Sequence, residues 1–327
     1  MSINQYEESS REMQNKQNNN CKDFLGKITS RKQVSPIVLN WDCENKIYDV
    51  KIINELKNYL KNSPMILFPV SMDPELEIMK QFLEKVNFDF SAFLSLRGLV
   101  KIQTGIIITD PHKDKNVVEK ADILFNSLKN SKNDNRKKIH NEIVNFIISN
   151  KIVPGRFLHI LKASGKLNNI DKVSLEILEE IDKEIKKEKV SSLTRSREFE
   201  RNLYEYLTLS NVEFITEDDI RSMCSGFKEK KINDEDDNYE KIVMEEIATP
   251  DIVFPSTIGI RISGIVYYIN WMDAKNTFGD NVPFLRKSLT KQSSKYNRIY
   301  GPGCFVFHYG MSSTLKIPGT LLLTFTC

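Results

Sequence analysis

The chain has 327 residues, 40% of them hydrophobic and 28% charged, with a net charge of +3 at neutral pH. That length suits two domains with a sizeable core, and so small a net charge neither marks nor rules out a nucleic-acid surface, which depends on a local groove and not on the total. The cysteines Cys21, Cys43, Cys224, Cys304 and Cys327 form no CxxC pair, and His112, His140, His159 and His308 have no HExxH or zinc-ligand spacing, which excludes a disulfide framework and a zinc site. No apolar run approaches the length of a membrane span and the first twenty residues hold no signal-peptide core. A reducing compartment, nucleus or cytoplasm, is expected.

In chain order, residues 1–35 are rich in Asn, Gln, Ser and charge and are expected to form a disordered tail, because they have too little apolar surface to bury. From Ile37 the composition changes. Ile52, Leu56, Tyr59 and Leu60 fall at helical spacing, and residues 75–86 and 121–128 read as further amphipathic helices. The β-branched run 101–109 reads equally as a strand or as a buried connector, and residues 130–138 as a polar, basic linker.

Residues 139–149 and 154–161 read as two helices, with Pro154 in a first turn where proline is tolerated. Their tight spacing resembles a helix-turn-helix. Arg156, His159, Lys162 and Lys166, on the second helix and just after it, could reach a groove, but a solvated charged face is preferred over a groove-reading one. Residues 171–190 read as a charged helix burying Val173, Leu175, Ile177, Leu178 and Ile181. Ser191 and Ser192 follow, and a boundary is expected near 191: a mainly helical region over 36–190, and a second domain over 191–327.

In that second domain, Phe199, Leu203 and Tyr206 form the apolar stripe of a helix. Glu200 borders the stripe and Glu198 points away from it. Phe214 and Ile215 lead to Glu217, Asp218 and Asp219 as a short strand or a helix ending. Residues 227–239 form a charged insertion, whose acidic run 234–237 lacks EF-hand spacing and reads as solvated loop, as do Glu245 and Glu246.

Thr249-Pro250-Asp251 then opens two apolar β segments joined by Ser263-Gly264, a hairpin turn. Asp251 is thereby expected one strand away from Asp273. Because side chains alternate along a strand, Asp273 and Lys275 share a face, and Ala274 points away with its carbonyl available. Two carboxylates and a carbonyl make a hard oxygen site suited to Mg²⁺ or Mn²⁺. Such an ion acidifies a water that attacks a phosphodiester, with Lys275 placed to orient that water or offset charge on phosphate.

Residues 284–300 read as a helix with Leu285, Leu289, Gln292, Tyr296 and Ile299 on one face. Arg286, Lys287, Lys291, Lys295 and Arg298 lie mostly elsewhere and read as a rim for phosphates. Gly301-Pro302-Gly303 stops the helix, and residues 304–309 and 321–325 supply closing strands.

The Pro250-Asp251 and Asp273-Ala274-Lys275 pattern resembles the PD-(D/E)XK nuclease superfamily. Residues 198–207 resemble its first core helix, and Gln292 with Tyr296 matches the QxxxY signature of its RecB-like branch. Taken together with Tyr300-Gly301-Pro302-Gly303, these pieces are similar to the TPD-motif family that includes the codanin-interacting nuclease. The resemblance covers about residue 197 to the C-terminus.

It implies an α/β restriction-endonuclease-like core at the C-terminus joined to a mainly α-helical N-terminal region. It also implies a Mg²⁺- or Mn²⁺-dependent nuclease, with DNA as the expected substrate and a codanin-like protein as a partner. Glu200, Asp251, Asp273 and the Ala274 carbonyl would bind metal, Lys275 would act on the water, and Gln292 and Tyr296 would support Lys275 or a substrate phosphate. Aspartate stands at 273 where the family places glutamate, which brings the metal nearer the strand. The rival reading is a nuclease-like interaction module that cuts little and is held by a codanin-like partner.

Overall fold

The computed structural model describes residues 26, 37–43, 46–108, 114–130, 135–150, 152–223 and 249–325. The tail 1–35 apart from Gly26, the acidic run 234–237, Glu245 and Glu246 lie outside the described residues. The chain divides into two units: Tyr48–Ser196, and the residues up to Ile47 together with those from Arg197 onward. It thus combines a helical N-terminal half with a C-terminal mixed sheet.

The unit Tyr48–Ser196 is built from helices α1 (Val50–Asn62), α2 (Leu76–Lys85), α3 (Phe90–Ile108), α4 (Asp114–Asn130), α5 (Arg136–Ser149), α6 (Pro154–Ala163) and the part of α7 (Lys172–Leu209) up to Ser196. Asp49 caps α1 by accepting from the Lys51 N–H at 2.6 Å, and Ile53, Leu56 and Leu60 are its buried face. Phe125, Ile143, Phe157, Leu161, Ile177 and Ile181 form one core in this unit. Lys166 pairs with Asp122 at 2.7 Å within the unit.

Two elements differ from the sequence expectation. The β-branched run 101–108 is neither strand nor connector but the last turns of α3. Burial of Leu96, Leu99 and Val100 just upstream anchors that helix, and tertiary packing overrides local β propensity. The helix read over 171–190 does not end there: α7 runs on to Leu209. No glycine or proline occurs from 172 to 209, and Thr194 returns its hydroxyl to the Val190 carbonyl at 3.1 Å, a bond compatible with a helix interior.

The other unit is a sheet of strands β1 (Val38–Asn40), β3 (Ile215–Thr216), β4 (Ile252–Ile262), β5 (Ile265–Lys275), β6 (Gly303–Phe307) and β8 (Thr320–Thr324), in the order β1-β4-β5-β6-β8 with β3 also on β4. The short β2 (Ile47–Tyr48) and β7 (Met311–Ser312) lie outside it. β1 pairs in parallel with β4, so residues 38–40 belong with the sheet and not with the helical region that composition suggested.

β4 and β5 are the antiparallel hairpin around Ser263 and Gly264, whose φ angles of 47° and 85° suit a two-residue turn of the left-handed class. α8 (Glu217–Met223) follows β3, and α9 (Pro283–Tyr300) crosses over from β5 to the parallel β6. The sheet is covered on both faces. Phe199, Leu203 and Leu207 of α7 pack against Met272, Cys304 and Val306, and Leu289, Tyr296 and Tyr300 of α9 pack against Trp271, Phe305 and Phe307. No described helix is long and apolar enough to cross a membrane.

Candidate functional site

Thr249, Pro250 and Asp251 lead into β4, and the chain holds this tripeptide from four elements. The Asp251 carbonyl accepts the Glu217 N–H at 3.1 Å and the Tyr204 hydroxyl at 3.3 Å. The Thr249 carbonyl accepts the Tyr296 hydroxyl at 3.4 Å, and the Thr249 hydroxyl donates to Glu217 Oε1 at 2.7 Å. Pro250 between them is buried and brings no N–H that would need a partner there.

Opposite Ile252 stands Met272, so one further step of the antiparallel register sets Asp251 against Asp273. The Ala274 N–H donates to Asp251 Oδ2 at 2.6 Å. A strand residue turns its N–H and C=O to the same edge, so the Ala274 carbonyl also faces Asp251. The neighbouring Lys275 carbonyl faces the other way, where it accepts the His308 N–H at 3.1 Å.

Asp273 is buried, and Lys275 Nζ lies 2.8 Å from its Oδ1 and 5.1 Å from the centre of the Phe305 ring. Asp273 and Lys275 therefore share the α9 face of the sheet. Burial first, then the neighbouring Asp273 carboxylate, push the Asp251 carboxyl up to about 8; the Ala274 N–H and Lys275 oppose this without cancelling it. Two carboxylates placed together in a dry site favour a shared proton or a bound cation. Burial and Asp273 also push the Tyr296 phenol up, which keeps it a donor.

This donor set fits a hard divalent cation that retains part of its water: two carboxylates and a carbonyl edge, partly neutralised by one ammonium. Glu200, the other expected ligand, is half-buried on α7. Among the described residues no group of three or more His, Cys, Asp or Glu side chains is placed to hold a metal together. Glu200 follows Phe199 on α7, the helix that packs against Met272 and Ala274, and Asp273 alternates to the α9 face. The α7 residue that reaches Asp251 is Tyr204, whose phenol is pushed up by burial, then by Asp251 and Glu200.

On α9, Tyr296 is buried with its ring edge-on to Trp271 at 5.0 Å, and Gln292 is half-buried one turn earlier. Arg286, Lys287, Lys291 and Arg298 are exposed and Lys295 is half-buried. Tyr204 and Glu217 were not singled out from the sequence as site residues. Thr216-Glu217-Asp218-Asp219 does carry a local signal, since the Thr216 N–H donates to Asp219 Oδ2 at 2.9 Å and the Thr216 hydroxyl accepts the Asp219 N–H at 3.2 Å, a capping box. Its contact with Thr249, 32 residues on, left none.

Uncharacterized protein L539 of Acanthamoeba polyphaga mimivirus is 31% identical to the chain over 278 residues, which is 85% of this chain and 91% of that protein. Residues 169–324 match the model of a family described as proteins of unknown function with a TPD sequence motif. The chain belongs to the TPD sequence-motif family. In this member the tripeptide that gives the family its name is Thr249-Pro250-Asp251, the segment clamped by Tyr204, Glu217 and Tyr296. No solved structure matches the chain.

Proposed function

We propose that this TPD-family chain is a divalent-metal-dependent nuclease with a restriction-endonuclease-like core, hydrolysing phosphodiester bonds, with DNA as the expected substrate. The observation that carries this reading is the meeting of Asp251 and Asp273 on adjacent strands with Lys275 at 2.8 Å from Asp273. Supporting it, α7, β3, β4, β5, α9 and β6 follow one another as helix, strand, strand, strand, helix, strand, the order expected of such a core, with the short α8 between β3 and β4. Gln292 and Tyr296 also sit on the helix that covers the Asp273 face.

Asp251, Asp273 and the Ala274 carbonyl would hold Mg²⁺ or Mn²⁺, with water completing the shell. The bound ion supplies Lewis acidity and a water acidic enough to serve as nucleophile. Asp273 holds the Lys275 ammonium at the mouth of the site, where it orients the attacking water and offsets charge growing on the phosphate oxygens. Tyr296 donates to the Thr249 carbonyl and fixes the entry to β4, and Gln292, one turn away, would support Lys275 or a substrate phosphate. The exposed bases of α9 attract the rest of the polyanion.

The test is cleavage of labelled single-stranded, duplex, flap and junction DNA, and of RNA, with Mg²⁺, Mn²⁺ or EDTA. Native protein is compared with Asp251→Ala and Lys275→Ala. Metal-dependent cutting lost in both variants supports the reading. A folded chain that cuts nothing under either metal supports instead the interaction module held by a codanin-like protein.

A further inference from the structure

Glu217 stands outside the residues that the nuclease pattern uses, yet it touches the TPD segment twice. Its backbone N–H donates to the Asp251 carbonyl at 3.1 Å, and its carboxylate accepts the Thr249 hydroxyl at 2.7 Å. Arg221, one turn along α8, reaches the same Oε1 at 2.6 Å and holds the carboxylate in that direction. β3 brings Glu217 there by its antiparallel register, Thr216 against Ile252 and Ile215 against Val253.

The two bonds act on different parts of one short segment. The backbone bond extends the β3–β4 ladder by one residue and would survive any side-chain change. The side-chain bond fixes Thr249, the residue before the buried Pro250. A carbonyl fixed by Tyr296 on one side and a hydroxyl fixed by Glu217 on the other leave Thr249 one orientation, and Pro250 passes it on because its φ is locked. Asp251 thus enters β4 with its carboxylate aimed at the Ala274 N–H.

We propose that Glu217 is a positioning residue for the Asp251 carboxylate, acting through the Thr249 hydroxyl, and that this bond is why threonine opens the motif. The inference rests on the reading of Asp251 as a cation ligand. Partners that orient ligating carboxylates change metal affinity by about 10–100-fold when removed. The contact requires an acceptor at Oε1 and not a negative charge. Glutamine supplies that acceptor and alanine does not.

The experiment is a Mn²⁺ titration of the full chain, followed by calorimetry, for native protein, Glu217→Gln, Glu217→Ala, Thr249→Ser, Thr249→Val and the double variant Glu217→Ala/Thr249→Val. Circular dichroism in EDTA checks that each is folded. Glu217→Ala and Thr249→Val are expected to weaken Mn²⁺ binding by about tenfold or more, the double variant no further than either, and Glu217→Gln and Thr249→Ser to bind nearly as native protein does. Additive losses, or a Glu217→Gln variant as weak as Glu217→Ala, would overturn the proposal, as would native affinity in Glu217→Ala. That last result in a protein whose native form cuts DNA removes the role of Glu217 alone, whereas a native chain that neither binds Mn²⁺ nor cuts removes the nuclease reading with it.

Discussion

Asp251 Oδ2 accepts a 2.6 Å hydrogen bond from the backbone N–H of Ala274, 23 residues away on the adjacent strand. This bond favours the ionised carboxylate, but burial and Asp273 outweigh it and raise the Asp251 carboxyl to about 8. A carboxyl whose pKa is higher folded than unfolded, where it is about 3.9, contributes stability that is complete below about pH 4 and lost as pH rises through about 8. The metal-free protein is therefore expected to melt at progressively lower temperature across that window. Asp251→Asn should flatten the dependence, and Mn²⁺ should restore stability to native protein at the alkaline end. Thermal melts in EDTA over the window check it; a flat native profile contradicts it.

Lys275 sits between Asp273 and the Phe305 ring, so its ammonium is held by the site without being a ligand. Lys275→Met is expected to cut single-turnover cleavage by roughly 10²–10³-fold, the scale of losing one charge-stabilising donor. Mn²⁺ affinity should stay native or rise, because a cation competing for Asp273 has gone. If affinity falls in step with cleavage, Lys275 serves to hold Asp273 and does not act on the substrate.

What was legible in the sequence was local. The hairpin at Ser263-Gly264, the shared face of Asp273 and Lys275, and the inward turn of Leu289 and Tyr296 all follow from periodicities of two and 3.6 or from turn chemistry. What was not legible depended on distant partners. Asn40 lies against Arg261, 221 residues on, and nothing in a three-residue strand announces its neighbour. The end of α3 was misread because its β-branched run is helical only through the packing of residues upstream. The contact of Tyr204 with the Asp251 carbonyl depends on which face of the sheet α7 covers, and that is a tertiary fact.

Gly303 opens β6 beneath the indole of Trp271. A Cβ there would lie 2.2 Å from the ring atoms, and the ring cannot easily retreat, since its Nε1–H donates to the Gly301 carbonyl at 2.9 Å and to Asn297 Oδ1 at 3.2 Å. Gly303→Ala is accordingly expected to cost about 1–3 kcal/mol or more. Urea denaturation measures it, and a native midpoint would show that the sheet yields at this point.

The outer side of α9 bears on substrate capture. Arg286, Lys287, Lys291 and Arg298 are exposed, no acid occurs from 283 to 300, and the inner side is occupied by Leu289, Tyr296 and Tyr300. Charges so placed can bind phosphates without entering the reaction centre, and each phosphate contact contributes about 0.7–0.9 to the slope of log Kobs against log salt. The paired change Lys287→Gln/Lys291→Gln is therefore expected to weaken oligonucleotide binding in EDTA and to make the slope shallower by about 1.4–1.8. The maximal cleavage rate at saturating substrate should stay native, because neither lysine is placed at Asp273. A native slope would make α9 a solvated face, and a lost maximal rate would mean that these lysines reach the scissile phosphate.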